Sequence, residues 1–180
     1  IHTEGAGPQM HGAAVASLLA GINCGVAPKA TVHYWAEPSW KRDYQYRNEA
    51  LSQILAYNQG KPPHEHIRVV SVSKGFDARE PHLEEWKDLL QQAKEANVYV
   101  IHTSRNMFGV GSPVYQDKND WHNYEVCAFA SSRTFNRPGY LFAPTDNRTY
   151  ASWQDPDAYI FSSQGGLSWA APYIAGVVAL

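Results

Sequence analysis

The 180-residue sequence has little of what would tie it to a membrane, a nucleic acid or a disulfide scaffold. No run of 18 apolar residues occurs, so no membrane-spanning helix is written into it. Charged residues make up 18% of the chain, the net charge is −2, and like charges nowhere form a run. That balance argues against a surface built to hold a phosphate backbone or anionic lipid. The only two cysteines, Cys24 and Cys127, lie far apart. A chain of this length buries about 70% of the surface its unfolded form exposes and needs no covalent staple. Two free, buried thiols are therefore expected rather than one disulfide, and they do not fix the compartment. No internal repeat, low-complexity tract or linker stands out, which fits one domain over residues 1–180. No signal peptide is visible, but the chain opens abruptly on "IHTEGAGPQMHG" and stops within a helical pattern at "AGVVAL". It reads as a piece of a longer protein, whose remainder is expected to supply the N-terminal part of the domain.

What the chain has in quantity is alternation of helical and strand patterns. Ala14, Val15, Leu18 and Leu19 form a helical stripe within "HGAAVASLL", which Gly21 can close. Ala50, Leu51, Ile54 and Leu55 mark a second helix ending near Gly60. The clearest helix is "PHLEEWKDLLQQAKEAN", with Leu83, Trp86, Leu89, Leu90 and Ala93 on one face and Pro81 expected in its first turn. Trp169 to Leu180 predicts a last helix, in which Pro172 is expected in or near the first turn. The runs Ala30–Trp35, Ile67–Ser73, Val98–Thr103 and Glu125–Ala130 predict strands. Strands alternating with helices of this length predict a three-layer αβα fold with a mostly parallel sheet, ligands binding at the carboxyl ends of the strands.

Chemistry concentrates at such ends: Ser73-Lys74-Gly75, Ser104-Arg105-Asn106, and the loop before Ser168. In "GGLSWAAPYIAGVVAL" Ser168 stands at the mouth of an apolar helix, where unpaired backbone N–H groups collect. It can be a plain helix cap or a nucleophile beside ready-made donors. A nucleophilic serine needs a base. Of eight histidines, His11 is singled out by the small-residue helix that it opens, "HGAAVA". His64 and His66 in "PPHEHIR" lack the spacing of a zinc-protease motif.

Four stretches taken together resemble the subtilisin-like serine protease family. "HGAAVASLLAGINCGVAPKATVHY" is similar to its histidine motif. "VVSVSKG" is similar to its substrate-binding strand, and "VYVIHTSRN" to the strand that delivers the oxyanion asparagine. "GLSWAAPYIAGVVAL" is similar to its nucleophile motif. They span almost the whole chain in the family's order. His11 and Ser168 are 157 residues apart, against about 157 in subtilisin. The resemblance implies a serine endopeptidase that forms an acyl-enzyme. Ser168 attacks the peptide carbonyl, His11 carries the proton, and Asn106 with the Ser168 backbone N–H holds the oxyanion. Ser73, Lys74, Gly75, Ser104 and Arg105 line an edge for an extended peptide or protein substrate. No cofactor is expected. Relatives use structural calcium, but Asp117, Asp120, Asp146, Asp155 and Asp157 are scattered and no metal ligand set is identified. The resemblance leans toward secretion.

The chain departs from the family at several places. None of the ten residues before His11 is an aspartate, so the resemblance places the triad aspartate upstream of Ile1. Leu167 stands where the family favours Thr, Trp169 where it has Met, Lys74 where it has Leu, and Arg105 where it often has Gly. Two alternatives stay open. One is a catalytically impaired pseudoprotease acting as a binding or regulatory module. The other is an α/β-hydrolase, since "GLSWA" approaches a G-x-S-x-G elbow, although no histidine follows Ser168.

Overall fold

The computed structural model describes residues 10–38, 41–75, 77–103, 109–113, 124–125 and 142–180. The elements are α1 (Met10–Ala20), α2 (Gln45–Gln59), β1 (Val69–Val72), α3 (Leu83–Glu95), β2 (Tyr99–His102), β3 (Gly109–Pro113), β4 (Tyr124–Glu125), β5 (Phe142–Pro144), β6 (Arg148–Ala151), β7 (Tyr159–Ser162) and α4 (Leu167–Ala179). Strands β1 and β2 pair in one sheet, β4-β3-β5 form a second, and β6-β7 a third. β3 runs parallel to β5, with Val110 opposite Ala143, whereas β3–β4 and β6–β7 are antiparallel. The described residues fall into two compact units; β1 and β2 each begin in the first and end in the second.

The first unit holds α2 and α3. Their stripes meet as the 3.6-residue period requires: Leu51, Ile54 and Leu55 of α2 and Trp86, Leu89 and Ala93 of α3 are buried. Tyr44 and Trp86 lie almost wholly out of water, and the Arg47 guanidinium sits 4.3 Å from the Tyr44 ring. Asn58 is buried because it acts as a strand substitute. Its side chain accepts from the Ile67 N–H at 2.8 Å and donates to the Ile67 carbonyl at 2.9 Å. It thus aims the chain into β1. Pro81 lies outside α3 rather than in its first turn. His82, in the left-handed region at φ 60°, intervenes, and the Pro81 carbonyl is taken by the Tyr44 N–H. Beyond it, the Arg79 guanidinium bonds Asp77 and holds its carboxyl at about 2.

The expected strand over Ala30–Trp35 forms no ladder among the described residues. Its aromatic content is spent otherwise. His33 packs against Trp35 and Tyr57, Trp35 Nε1 donates to Gln53, and Val32 and Tyr34 stay exposed. The Glu125–Ala130 expectation is met at Glu125 in β4; residues 126–130 and Cys127 lie outside the described residues. Cys24 carries a free thiol.

The second unit packs α1 on α4, β6 on α1, and α4 on β5. Its core is Ala14, Leu18, Tyr150 and Trp169, with Val15 and Ile160 against it. Buried Ser17 fastens α1 to β6: its hydroxyl donates to the Ala14 carbonyl and accepts from the Ala151 N–H at 2.9 Å. Small residues bring α1 and α4 close. A Cβ on Gly176 would sit 2.7 Å from Val26 Cβ and 3.2 Å from the Leu19 carbonyl. His11 meets Trp169 at one end of the pair and Leu19 meets Gly176 further along, so the two helices run side by side in the same direction.

Candidate active site

Ser168 is the second residue of α4. It is not the helix cap. That position falls to Gly166, with extended backbone and no side-chain cap bond. The Ser168 hydroxyl instead donates to the Ser73 carbonyl at 3.3 Å. In return the Ser73 hydroxyl donates to the Ser168 carbonyl at 3.0 Å.

Pro172 accounts for this reciprocal pair. It lies in the second turn of α4, deeper than the sequence pattern suggests. In an α-helix the N–H of residue 172 would bond the carbonyl of residue 168, and proline has none. The Ser168 carbonyl is left over, and the Ser73 hydroxyl takes it. A buried proline is tolerated inside the helix because a neighbouring segment supplies the missing donor. Ser73→Ala is expected to destabilise the chain by about 1 kcal/mol, a fall of about 2–4 °C in melting temperature. In a Pro172→Ala background, where the helix regains its own donor, the loss should shrink. Equal losses in both backgrounds, measured by thermal melts, would remove this explanation.

The Ser73–Gly75 segment continues from β1 to the end of β2. A Cβ on Gly75 would stand 3.5 Å from both the carbonyl and the hydroxyl oxygen of Thr103. Lys74 is half-buried in the same segment. Ser104, Arg105 and Asn106 follow Thr103 directly and lie outside the described residues.

His11 is the second residue of α1. The residue is exposed overall, while its ring packs against the Trp169 indole, centroids 5.7 Å apart and planes 31° apart. Removal of water from the imidazole lowers its pKa below the ordinary 6.5, so the neutral, proton-accepting form persists to lower pH. Among the described residues no hydrogen bond joins His11 to Ser168, and no carboxylate pairs with His11.

The approach to Ser168 is fixed from β5. Just past that strand, buried Asp146 accepts from the Gly165 N–H at 2.9 Å and from the Thr145 hydroxyl at 3.2 Å. Neither this tether nor the facing of Trp169 toward His11 follows from the sequence pattern. The Pro172 effect had a legible signal, a proline four residues after a serine at a helix start.

Helices bearing a serine and a histidine at neighbouring starts, with a strand end bonded to the serine, have the arrangement of a subtilisin-like fold. The chain has that fold. It superposes on the prenylagaramide maturation protease PagA with a TM-score of 0.58 and 24% identity, over 95% of this chain and 63% of that one. On the PatG macrocyclase in complex with peptide the TM-score is 0.62 at 16% identity, over 95% and 52%. On a cold-adapted subtilisin-like serine proteinase it is 0.54 at 17% identity, over 99% and 63%. The chain thus spans about 52–63% of the length of these proteins. The α/β-hydrolase alternative gives way to this fold. No family model matches the chain, and no curated protein does.

Proposed function

We propose that the chain carries the histidine and serine of a subtilisin-like serine endopeptidase. The observation that supports it is the meeting of distant segments at one place: α1 brings His11 against Trp169, and the Ser73 segment bonds the adjoining Ser168. In this reading the Ser168 hydroxyl turns from Ser73 toward His11, which accepts its proton and later returns it to the leaving amine. An aspartate supplied from elsewhere in the full-length chain orients the imidazole. Ser73, Lys74 and Gly75, with Ser104 and Arg105, pair an extended peptide by its backbone. The likeness to maturation proteases and to a peptide-bound macrocyclase supports a peptide substrate. The proton-relay chemistry itself calls for no cofactor; structural calcium and secretion remain part of the proposal by fold likeness.

Asn106 is assigned the oxyanion. Asn106→Leu is expected to lower kcat by about 10²–10³ with KM little changed; turnover within twofold of wild type would remove it from that role.

A second reading has its own support. The Ser168 hydroxyl rests on a carbonyl, and His11 has no carboxylate partner among the described residues, as in a pseudoprotease that binds peptide without cleaving it. A fluorophosphonate probe separates the two. Mass spectrometry of the full-length chain should find the adduct on Ser168. Its absence, with peptide binding retained, would establish the binding module.

A further inference from the structure

Trp169 is the element of this site that neither motif nor spacing assigns. It is 8% exposed and Tyr150 5%, and their rings stand 5.1 Å apart at 35°. The His11 ring follows at 5.7 Å and 31° on Trp169. Three rings therefore run from the apolar core to an imidazole at the surface, at separations within the favourable aromatic range. The indole is held from several sides: Ala14, Leu18 and Tyr150 share its cluster, and the backbone of Gly165 lies so close that a Cβ there would be 2.8 Å from Trp169 Cδ1. Among the described residues the Trp169 indole is the ring that His11 packs against. Trp169 also follows Ser168 directly, which ties the imidazole's resting place to the hydroxyl by one peptide unit.

We propose that Trp169, backed by Tyr150, is a positioning residue for His11, a platform that fixes the plane of the imidazole and shields one of its faces from water. Its catalytic meaning rests on the reading of His11 as the base. Among the described residues the elements packed around it bring one carboxylate, Asp146 just past β5, which accepts from the Gly165 N–H and the Thr145 hydroxyl. α1 has no other titratable group, α4 adds Tyr173, and β6 adds Tyr150 and Arg148, whose guanidinium lies 5.1 Å from the Tyr173 ring centre. Water exclusion is thus what the platform contributes, and it agrees with the lowered pKa of His11.

The test is an NMR titration of the His11 ring in the full-length chain, in wild type, Trp169→Phe and Trp169→Leu. Leucine keeps an apolar filling so that the fold survives, verified by circular dichroism, but offers no ring. Phenylalanine should preserve the ring-current displacement of the His11 protons and the titration midpoint. Leucine should abolish the displacement and strengthen proton binding about threefold. Leucine leaving both unchanged would overturn the proposal, as would phenylalanine failing to preserve them. The readout needs no activity. Absence of probe on Ser168 in wild type sinks only the protease reading, and the titration still decides the platform. If the probe does react, the acid limb of its rate should move with the midpoint.

Discussion

Replacing Ser168 with alanine is expected to lower peptide hydrolysis by the full-length chain on the order of 10⁶-fold in kcat, as loss of the serine does in subtilisin. The size follows from the division of labour. In the proposed mechanism no acyl-enzyme forms without the nucleophile, and what is left is the slow attack of water aided by the oxyanion donors. KM should change little, because the proposed reading pairs the substrate with the strand edge and not with the hydroxyl. His11→Ala should cost about as much, and the double variant no more than either alone, since serine and base act as one unit. Stability offers an internal control. The Ser168 hydroxyl loses only a long bond to Ser73, so the melting temperature should stay within a few degrees, corresponding to about 1 kcal/mol or less. Residual kcat within tenfold of wild type would end the nucleophile assignment.

The largest structural effect is expected from Gly165→Ala. A Cβ there would overlap both the oxygen and the carbon of the Thr145 carbonyl. Both are backbone atoms of a residue that is itself fully buried, so no side chain can step aside. The loop must move, and the Gly165 N–H then leaves the Asp146 carboxylate that anchors it. A loss of about 3 kcal/mol or more is expected, or about 6–12 °C in melting temperature. Ser168 lies three residues on, so its reaction with a fluorophosphonate should slow in the same variant below its melting point. Gly166→Ala is the control. Nothing lies within 4 Å of its Cβ position and its φ of −169° suits any residue, so its cost should stay within about 1 kcal/mol. Equal melting temperatures for the two variants would contradict the close approach.

Where local chemistry decides structure, the sequence was informative. The stripes of α2 and α3 follow the helical period that burial enforces, and strands form at Val69–Val72 and Tyr99–His102 within the runs that predict them. The order of the four motifs led to the fold. Residues 30–35 show the limit: a β-branched and aromatic run makes a strand only if a partner strand receives it, and here the Tyr57 ring and the Gln53 amide of α2 take that place. Pro172 shows another. Proline in a second helical turn is disfavoured by local rules and is admitted by a hydroxyl from 95 residues away. The pairing of His11 with Trp169 depends on how two helices pack, and no local pattern carries it. The stretch with Ser104, Arg105 and Asn106 lies outside the described residues, so its roles rest on resemblance.

The shared direction of α1 and α4 reaches beyond packing. A helix concentrates about half an elementary positive charge at its beginning. Because both helices begin at the same end, their macrodipoles reinforce each other in the space before His11 and Ser168. That space favours anions before any side chain acts: it disfavours an imidazolium at rest and welcomes a negatively charged oxygen. In the proposed protease a product carboxylate would feel the same field, which would hold back release of the new C-terminus.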